Sequence, residues 1–295
     1  MQDDIVSIAA GGLSAEIACL GAELQRLTHA GHGELLWDGD AAFWTGRAPV
    51  LFPIVGALKN DRYRYGGREY ALPKHGFARR KRWTPVRTDA ACATFRLEDD
   101  QETRLAYPFA FRLELEFALD EAGLALIATL ANRGDVPMPA SFGFHPALRW
   151  PLPYGADRAA HIVRFDAAEP APIRRIDAAG LLRPDPLPTP VEGRDLRLRD
   201  DLFVDDALIF DRLQSRGLLY GAPGHAGLRV EFTDMPELGI WTKPGAGYVC
   251  IEPWHGHADP EGFAGDIFEK PGIVRVAPGE QRRFAMRIAL ATAID

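Results

Sequence analysis

The 295-residue sequence has only three cysteines, no long apolar run and no excess of basic residues. Cys19, Cys92 and Cys250 are widely spaced without a CxxC pair, which argues against a disulfide framework or a zinc ribbon. No apolar run approaches the roughly 20 residues that a membrane-spanning helix needs. The formal net charge of −7 argues against a nucleic-acid partner, since such partners select basic domains.

Sparse cysteine usage is also typical of a reducing compartment. The chain opens with Met1-Gln2-Asp3-Asp4, which is acidic where a secretory signal peptide is basic. We therefore expect a cytoplasmic protein that binds neither nucleic acid nor a membrane. A chain of this length buries about three quarters of its unfolded surface, so it needs no disulfide or structural metal to fold.

Apolar and polar residues alternate with period two in several segments, which predicts β-strands. The alternation is clearest in residues 112–119 (RLELEFAL), 227–232 (GLRVEF) and 283–290 (RFAMRIAL). Residues 124–130 (LALIATL) follow an Asp-Glu-Ala-Gly turn and are predicted to form a hairpin with the first of these strands. Because 29 glycines and 23 prolines punctuate the chain, a helix longer than about two turns is expected only within residues 196–209.

Many antiparallel strands separated by turns are typical of an all-β sandwich or barrel. The proline-rich segment 169–191 is interpreted as a long surface excursion, because strand-like sequence resumes on both sides of it. No internal repeat is visible at a fixed period. We therefore expect residues 1–295 to form one domain.

Histidine, glycine and basic residues are concentrated in residues 74–83 (KHGFARRKRW). His75 can donate hydrogen bonds to ligand hydroxyl groups, and Arg79 with its basic neighbours can hold a carboxylate or phosphate bidentately. The alternative is a solvated basic turn, because charge runs usually lie at the surface.

A second polar stretch covers residues 141–150 (SFGFHPALRW). His145 is flanked by aromatic residues. Pro146 has a fixed φ angle of its own and restricts the backbone conformation of His145 before it. A rigid histidine in apolar surroundings suits proton transfer, since its unperturbed pKa lies near neutrality. The alternative is a core histidine bonded to a backbone carbonyl.

The third polar stretch covers residues 250–259 (CIEPWHGHAD). Glu252 follows the apolar run 247–251 and precedes a proline, so we expect it at the end of a strand. A carboxylate there is either held as a base or paired with an arginine. Trp254 offers a flat apolar face of the kind on which sugars stack.

The same region contains an HxHxxxE pattern formed by His255, His257 and Glu261, which resembles the metal-binding motif of cupins. Histidines at positions i and i+2 lie on one face of a strand, as chelation requires. Pro260 and Gly262 interrupt such a strand, and the glycine that the motif expects farther on is absent. We therefore expect no metal and no other cofactor.

Taken in order, these stretches resemble the aldose 1-epimerase (galactose mutarotase) superfamily, in particular its less-characterised bacterial branch. The matching stretches are Phe52-Pro53-Ile54-Val55-Gly56, His75-Gly76-Phe77-Ala78-Arg79, Tyr107-Pro108-Phe109, Gly143-Phe144-His145-Pro146, Asp205-Asp206-Ala207-Leu208-Ile209 and Ile251-Glu252-Pro253-Trp254. They follow the family's order over nearly the whole chain. The resemblance implies a single large antiparallel β-sandwich with a sugar-binding cleft on one face.

The resemblance also implies roles for individual residues. His145 would be the general acid and Glu252 the general base that exchange protons with the anomeric centre of a hexose. His75 would bind the sugar near its ring oxygen, and Asp206 would accept a hydrogen bond from a sugar hydroxyl. Arg79 belongs to an HGFAR form that also occurs in hexose-6-phosphate mutarotases, where the arginine helps to hold the sugar or its phosphate.

One sugar-binding position departs from the family pattern. The arginine in the Asn-Arg-Ile motif of the best-known galactose mutarotases is replaced by Phe52-Pro53-Ile54, and Arg47 is the nearby candidate to substitute for it. The expected partner is therefore a small sugar, a free hexose or a hexose phosphate, bound to a monomer or a homodimer.

Three other functions remain open on the sequence alone. A glycosidase normally uses two carboxylates, whereas the best pair here is a histidine and a glutamate. A non-catalytic carbohydrate-binding or sensor protein would use Trp150 and Trp254 for stacking. His145 and Glu252 would then have no catalytic role. A cupin-like metalloenzyme would use the HxHxxxE pattern.

Overall fold

Antiparallel β-strands are the main regular structure of the computed structural model, which describes residues 5–294. The acidic start Met1–Asp4, on which the signal-peptide argument depends, and Asp295 lie outside the described residues. Within residues 5–294, no helix has the length and apolar character that crossing a membrane would require.

The first half of the described chain contains fourteen of the strands. These are β1 (Ile5–Ala10), β2 (Leu13–Ala18), β3 (Glu23–His29), β4 (Gly33–Glu34), β5 (Val50–Leu51), β6 (Arg62–Tyr65), β7 (Arg68–Ala71), β8 (Thr84–Thr88), β9 (Cys92–Glu98), β10 (Phe111–Leu119), β11 (Gly123–Asn132), β12 (Met138–Ala140), β13 (Phe142–Phe144) and β14 (Ala147–Arg149).

The remaining strands follow a long irregular connection. They are β15 (Ile162–Phe165), β16 (Asp195–Arg197), β17 (Leu208–Phe210), β18 (Gly217–Gly221), β19 (Gly227–Thr233), β20 (Glu237–Trp241), β21 (Tyr248–His255), β22 (Val274–Val276) and β23 (Gln281–Ala291). Helical structure within the described residues is limited to α1 (Gln101–Ala106) and five 3₁₀ turns: Lys59–Asp61, Ala78–Arg80, Arg158–Ala160, Asp200–Phe203 and Ile267–Glu269.

Two large antiparallel sheets pack face to face, which confirms the predicted β-sandwich. One sheet has nine strands in the order β16-β15-β18-β19-β23-β11-β10-β9-β8; the other has the order β17-β20-β21-β13-β5, with β14 also paired to β21. Aromatic rings join the two layers: Phe142 stacks on Phe284 with centroids 5.0 Å apart, and Phe165 meets Phe210 at 5.4 Å. A smaller sheet, β1-β2-β3-β4, adds its apolar face to the same core.

The hairpin predicted from the alternating pattern is formed by β10 and β11, with Phe111 opposite Asn132 and Leu119 opposite Leu124. Along β10 every second side chain is buried, from Phe111 through Leu115 to Leu119. Period-two alternation places these side chains on one face, so the strand can lie against the core only in this register.

The helix expected within residues 196–209 is wrong. Leu196 is buried on an edge strand opposite Val163 instead of lying on a helix face. Farther along, the guanidinium group of Arg175 donates hydrogen bonds to the carbonyl oxygens of Leu202 and Asp206. Those carbonyls are therefore satisfied by a side chain from another segment, and a continuous helix is not needed to satisfy them.

The proline-rich segment 169–191 forms an irregular hairpin at the edge of the six-stranded sheet. Ile173 bridges to Leu187 and Ile176 to Leu182, while Arg174 pairs with Ile209 of β17. This hairpin extends the sheet sideways, so its turn stands beside the outer face of that sheet.

We expect Leu115→Ala to lower the free energy of unfolding by about 2–5 kcal/mol, because it opens a cavity in the fully buried face of β10. Glu114→Ala, one position away on the partly exposed face, removes an ion pair with Arg96 and should cost less than about 1 kcal/mol. Urea unfolding of both variants measures the difference. Equal losses would contradict the assignment of the two faces.

Candidate active site

Strand β21 carries the central residues of the site on its outer face. Val249 and Ile251 point into the core between the two large sheets. Cys250, Glu252 and Trp254 alternate with them and therefore lie on the opposite face, away from that core. The same strand thus contributes to the core and to a polar site.

Glu252 does not lie at the end of a strand, so this expectation is wrong. Strand β21 continues through Pro253 to His255, and Pro253 pairs with Leu238 of β20. Neighbouring strands on both sides hold the backbone of Glu252, and only 2% of this residue is exposed.

His145 lies directly across the sheet from Glu252. The pairings of Gly143 with Trp254 and of Ala147 with Cys250 bracket the two residues. The Nε2 atom of His145 lies 3.1 Å from the Oε2 atom of Glu252. Strand register thus brings together two residues that are distant in the sequence.

Burial shifts the pKa values of both groups away from their ordinary ranges. It raises the pKa of the Glu252 carboxyl well above its usual value, and the positive charge of Lys74 opposes part of that rise. It lowers the pKa of His145 to about 3, with a smaller contribution from the cations Arg79 and Lys74. His145 is therefore neutral at neutral pH, and the ionised form of Glu252 is a stronger base than an exposed carboxylate.

His75 is held in a single tautomer by the backbone of a neighbouring loop. The N–H group of Gly56 donates to its Nδ1 atom at 3.0 Å, so the ring proton lies on Nε2. Burial lowers the pKa of His75 well below its ordinary value, and its ring lies 6.0 Å from that of His145. Glycine is required at position 76, because a Cβ atom there would lie 2.2 Å from the carbonyl oxygen of Phe52.

A cavity of about 280 Å³ opens above the His145–Glu252 pair. Six of the seven site residues named from the sequence line it: His75, Arg79, His145, Asp206, Glu252 and Trp254. The lining also includes residues that the sequence did not single out, among them Trp44, Lys74, Ile176, Gly180 and Trp241.

Three tryptophans form the apolar walls of this cavity. The ring of Trp44 lies 5.0 Å from that of His145 and 5.6 Å from that of Trp241. Trp254 lies across two glycines of the neighbouring strands: a Cβ atom would meet its ring at 2.7 Å from position 143 and at 2.4 Å from position 239. The glycines at both positions therefore leave space for the Trp254 ring.

The basic run 79–82 contributes a single residue to the cavity. Arg79 lines it and donates a hydrogen bond to the carbonyl oxygen of Lys74 at 3.1 Å. Lys81 instead pairs with Asp100 and Glu102 at the surface. Lys81 therefore fits the interpretation as a solvated basic turn, whereas the ligand-holding role of Arg79 stays a prediction.

Asp206 reaches the cavity from a segment that the proline-rich hairpin fixes. Its backbone has a positive φ of 67°, and its carbonyl oxygen accepts a hydrogen bond from the buried Arg175. Its Oδ1 atom accepts from the N–H group of Ala207 at 2.7 Å, and the side chain faces the cavity.

The structure does not bring Arg47 or Trp150 to the cavity. The guanidinium group of Arg47 donates to the carbonyl oxygen of Gln25 at 2.7 Å, so it holds β3 instead. Trp150 is buried elsewhere, with the guanidinium group of Arg158 over its ring at 3.7 Å. Arg47 therefore does not line the cavity.

The HxHxxxE residues do not converge on one point. His255 lies near the carbonyl of Asp234, whereas His257 contacts the Glu237 carboxylate at 2.7 Å beyond a turn at Gly256. Within residues 5–294, the group with metal-ligating geometry is instead His145, Cys250 and Glu252, whose ligand atoms lie within 4.8 Å of one another.

Comparisons with known proteins agree on one family. The sequence profile described as "Aldose 1-epimerase" matches residues 4–289. The protein LacX of Lactococcus lactis is 30% identical over 276 residues, which cover 90% of this chain and 92% of LacX. A galactose mutarotase related enzyme from Lactobacillus acidophilus has a similar structure, with a TM-score of 0.89, 31% identity and coverage of 99% of this chain and 98% of that one. A galactose mutarotase-like protein from Lactobacillus casei also has a TM-score of 0.89, with 28% identity and coverage of 97% and 99%.

We expect Glu252→Gln to stabilise the protein at neutral pH. A carboxyl group whose pKa is higher in the folded than in the unfolded chain destabilises the fold as pH rises from the unfolded value of about 4.3 toward the folded value. Glutamine does not ionise, so the thermal midpoint should rise at pH 8, by about 2–4 °C for each kcal/mol gained, and the gain should shrink toward pH 5.

Glu169→Gln is the matched control for this experiment. Glu169 is equally buried, but its carboxylate accepts hydrogen bonds from the backbone N–H groups of Gln214 and Ser215. Its replacement should therefore lower the thermal midpoint. Destabilisation by Glu252→Gln at pH 8 would show that the Glu252 carboxylate is better stabilised by its surroundings than its burial implies.

Proposed function

Because this chain belongs to the aldose 1-epimerase family, we propose that it is a mutarotase that interconverts the α and β anomers of a hexose. The observation that supports this most directly is the pair formed by His145 and Glu252, 3.1 Å apart at the floor of a cavity with tryptophan walls. Two similar solved structures support this activity, since they are described as a galactose mutarotase related enzyme and a galactose mutarotase-like protein.

Mutarotation requires two proton transfers, at two oxygens that are bonded to the same carbon. A base removes the proton from O1 while an acid protonates the ring oxygen, the bond from C1 to the ring oxygen breaks, and the open-chain aldehyde forms. Rotation about C1–C2 and the reverse transfers close the ring as the other anomer. An acid and a base on opposite sides of the ring suffice, and His145 and Glu252 line the same cavity, where both can reach the oxygens bonded to C1.

In this proposal Glu252 is the base at O1 and His145 is the acid at the ring oxygen. The raised pKa of the Glu252 carboxyl makes its carboxylate a stronger base. His145 is neutral in the empty cavity, so in this proposal it takes up a proton when the sugar binds and transfers that proton to the ring oxygen; its lowered pKa makes the imidazolium a stronger acid. His75, which carries its proton on Nε2, would donate a hydrogen bond to the ring oxygen from the adjacent wall. The pair returns to its original protonation state after each cycle.

The remaining lining residues suit a pyranose. Tryptophan rings pack against the C–H groups of a sugar, while the Asp206 carboxylate and the cationic Arg79 and Lys74 exchange hydrogen bonds with its hydroxyls. Lys74 and Arg79 also make a hexose phosphate the second candidate substrate, because they can hold an anion.

The competing functions fit this geometry less well. An inverting glycosidase separates its two carboxyl groups by about 6.5–9.5 Å to admit a water, whereas His145 and Glu252 lie in direct contact. A non-catalytic binding protein gives no reason to bury an acid and a base with oppositely shifted pKa values, an arrangement that concentrates at catalytic sites.

We expect Glu252→Gln and His145→Asn each to slow mutarotation about 10²–10⁴-fold, the usual contribution of a general acid or base. Polarimetry of freshly dissolved α-D-glucose, α-D-galactose and α-D-glucose 6-phosphate measures the rate. Sugar binding should survive in Glu252→Gln, and the fluorescence of the cavity tryptophans Trp44, Trp241 and Trp254 reports it.

Glu114→Gln, on the nine-stranded sheet and outside the cavity, is the control for these variants. A Glu252→Gln protein with the wild-type rate would exclude Glu252 as the base. A wild-type protein that accelerates the exchange of none of the three sugars would contradict the proposed activity.

The acidic limb of the rate profile should depend on Lys74. Activity requires ionised Glu252, and the Lys74 ammonium group lowers the pKa of that carboxyl. Lys74→Met should therefore move the acidic limb of kcat/KM to higher pH, whereas Lys74→Arg, which keeps the charge, should leave it near the wild-type position. A limb that does not move in Lys74→Met would show that the ammonium group does not act on Glu252.

A further inference from the structure

A third ligating side chain lies beside the acid–base pair and takes no part in the proposed proton transfers. Cys250 precedes Glu252 by two positions on β21, so both side chains project from the outer face of the sheet. His145 lies across the sheet from them, in the link between β13 and β14. A thiol, a carboxyl group and an imidazole therefore meet at one place.

The ligand atoms of these three residues form a compact triangle. A ring nitrogen of His145, the Sγ atom of Cys250 and a carboxylate oxygen of Glu252 all lie within 4.8 Å of one another. A tetrahedral zinc ion holds its ligand atoms roughly 3.3–3.8 Å apart, because its metal–ligand distances are about 2.0–2.3 Å. Side-chain shifts of about 1 Å are therefore enough to place all three atoms around one ion.

We propose that His145, Cys250 and Glu252 form a binding site for Zn²⁺ and that the bound ion inhibits the protein. The ion would occupy the Glu252 carboxylate and a nitrogen of the His145 ring, so the pair could no longer exchange protons with a sugar. Ion binding is independent of the proposed mutarotase activity, whereas the inhibition rests on that activity.

The chemistry of the three donors favours zinc over the common hard cations. Thiolate, imidazole and carboxylate are the usual protein ligands of Zn²⁺, whereas Mg²⁺ and Ca²⁺ select oxygen ligands. His145 and Glu252 line the cavity, so the fourth position of a tetrahedral ion would open toward it and take a water molecule.

The charge of the site suits a divalent cation although the three residues are buried. His145, Cys250 and Glu252 are 8%, 0% and 2% exposed. Coordination deprotonates a thiol, so Cys250 and Glu252 together supply two negative charges and the zinc-loaded site has no net charge. Pairing the ion with two anionic ligands offsets the cost of removing its charge from water.

Two cations at the cavity wall oppose the binding of a metal ion. Lys74 and Arg79 line the cavity, and their charges act on His145. Asp206 lines the same cavity and offsets part of this repulsion. Removal of the Lys74 charge should therefore increase the affinity for zinc.

Titration with Co²⁺ tests the site directly, because cobalt reports its ligands through its absorbance. The wild-type protein should show a thiolate-to-cobalt charge-transfer band in the near ultraviolet, and added Zn²⁺ should abolish it. Cys250→Ser should remove the band and weaken Zn²⁺ binding about 100-fold or more, since even the loss of an outer partner of a metal ligand costs about 10–100-fold. Cys92→Ser, which removes a buried thiol from the nine-stranded sheet, is the matched control.

Glu252→Gln is a second variant that does not alter the thiol. It removes one of the two anionic ligands, so the charge-transfer band should appear only at higher Co²⁺ concentrations. His29 and His32 have stacked rings 4.8 Å apart and are another place where an ion can be held weakly. The titration is therefore repeated in His32→Asn, which should leave the band unchanged.

Polarimetry then measures inhibition, expressed for each variant relative to its own metal-free rate. Zn²⁺ should inhibit the wild-type protein and Cys92→Ser, a chelator should restore the rate, and Mg²⁺ at the same concentration should have no effect. Inhibition of Cys250→Ser should require about 100-fold more Zn²⁺. Lys74→Met should be inhibited at lower Zn²⁺ concentrations than Lys74→Arg.

The outcomes separate the metal site from the proposed function. Co²⁺ binding without a thiolate band, or with a band that Cys250→Ser retains, would overturn the site. Zn²⁺ that binds through Cys250 without slowing mutarotation would overturn the inhibition. A protein that binds Zn²⁺ through Cys250 but accelerates the exchange of no sugar would confirm the site and overturn the mutarotase proposal together with the inhibition derived from it.

Discussion

The site depends on burying a carboxyl group and an imidazole side by side on the outer face of a β-sheet. Burial disfavours the charged forms of both groups, so the pKa of Glu252 rises and the pKa of His145 falls. The Nε2 atom of His145 and the Oε2 atom of Glu252 lie 3.1 Å apart, so the two groups are in hydrogen-bond contact at the floor of the cavity. The pairing of β13 and β14 with β21 provides this contact.

The shape of the cavity above His145 and Glu252 depends on glycines as well as on the large side chains that line it. Trp254 can lie flat only because Gly143 and Gly239 on the adjacent strands have no Cβ atom. The loop that carries His75 packs against the backbone of Phe52, and Gly76 permits this packing because it has no Cβ atom. Glu252 lies on β21 and His145 in the link between β13 and β14, whereas Lys74, Gly180 and Asp206 come from loops, so strands and loops contribute different parts of the cavity.

Sequence reasoning was most successful where a local pattern has only one structural solution. The alternation in β10 and β11 predicted their hairpin, because a slip of one residue would expose the buried face. Sequence reasoning failed where contacts with distant residues determine the local structure. The segment 196–209 is held by Arg175, and Arg47 is bound to Gln25; neither partner is recognisable from the sequence around it.

The sequence by itself determined the β-sandwich, the family and the identity of His145 and Glu252 as the candidate acid and base, because alternation and short motifs are local properties. Only the tertiary structure decided that the two groups touch and that Trp44 and Trp241 share their cavity. Strand register and loop packing join residues far apart in the chain, and no local pattern encodes those distances.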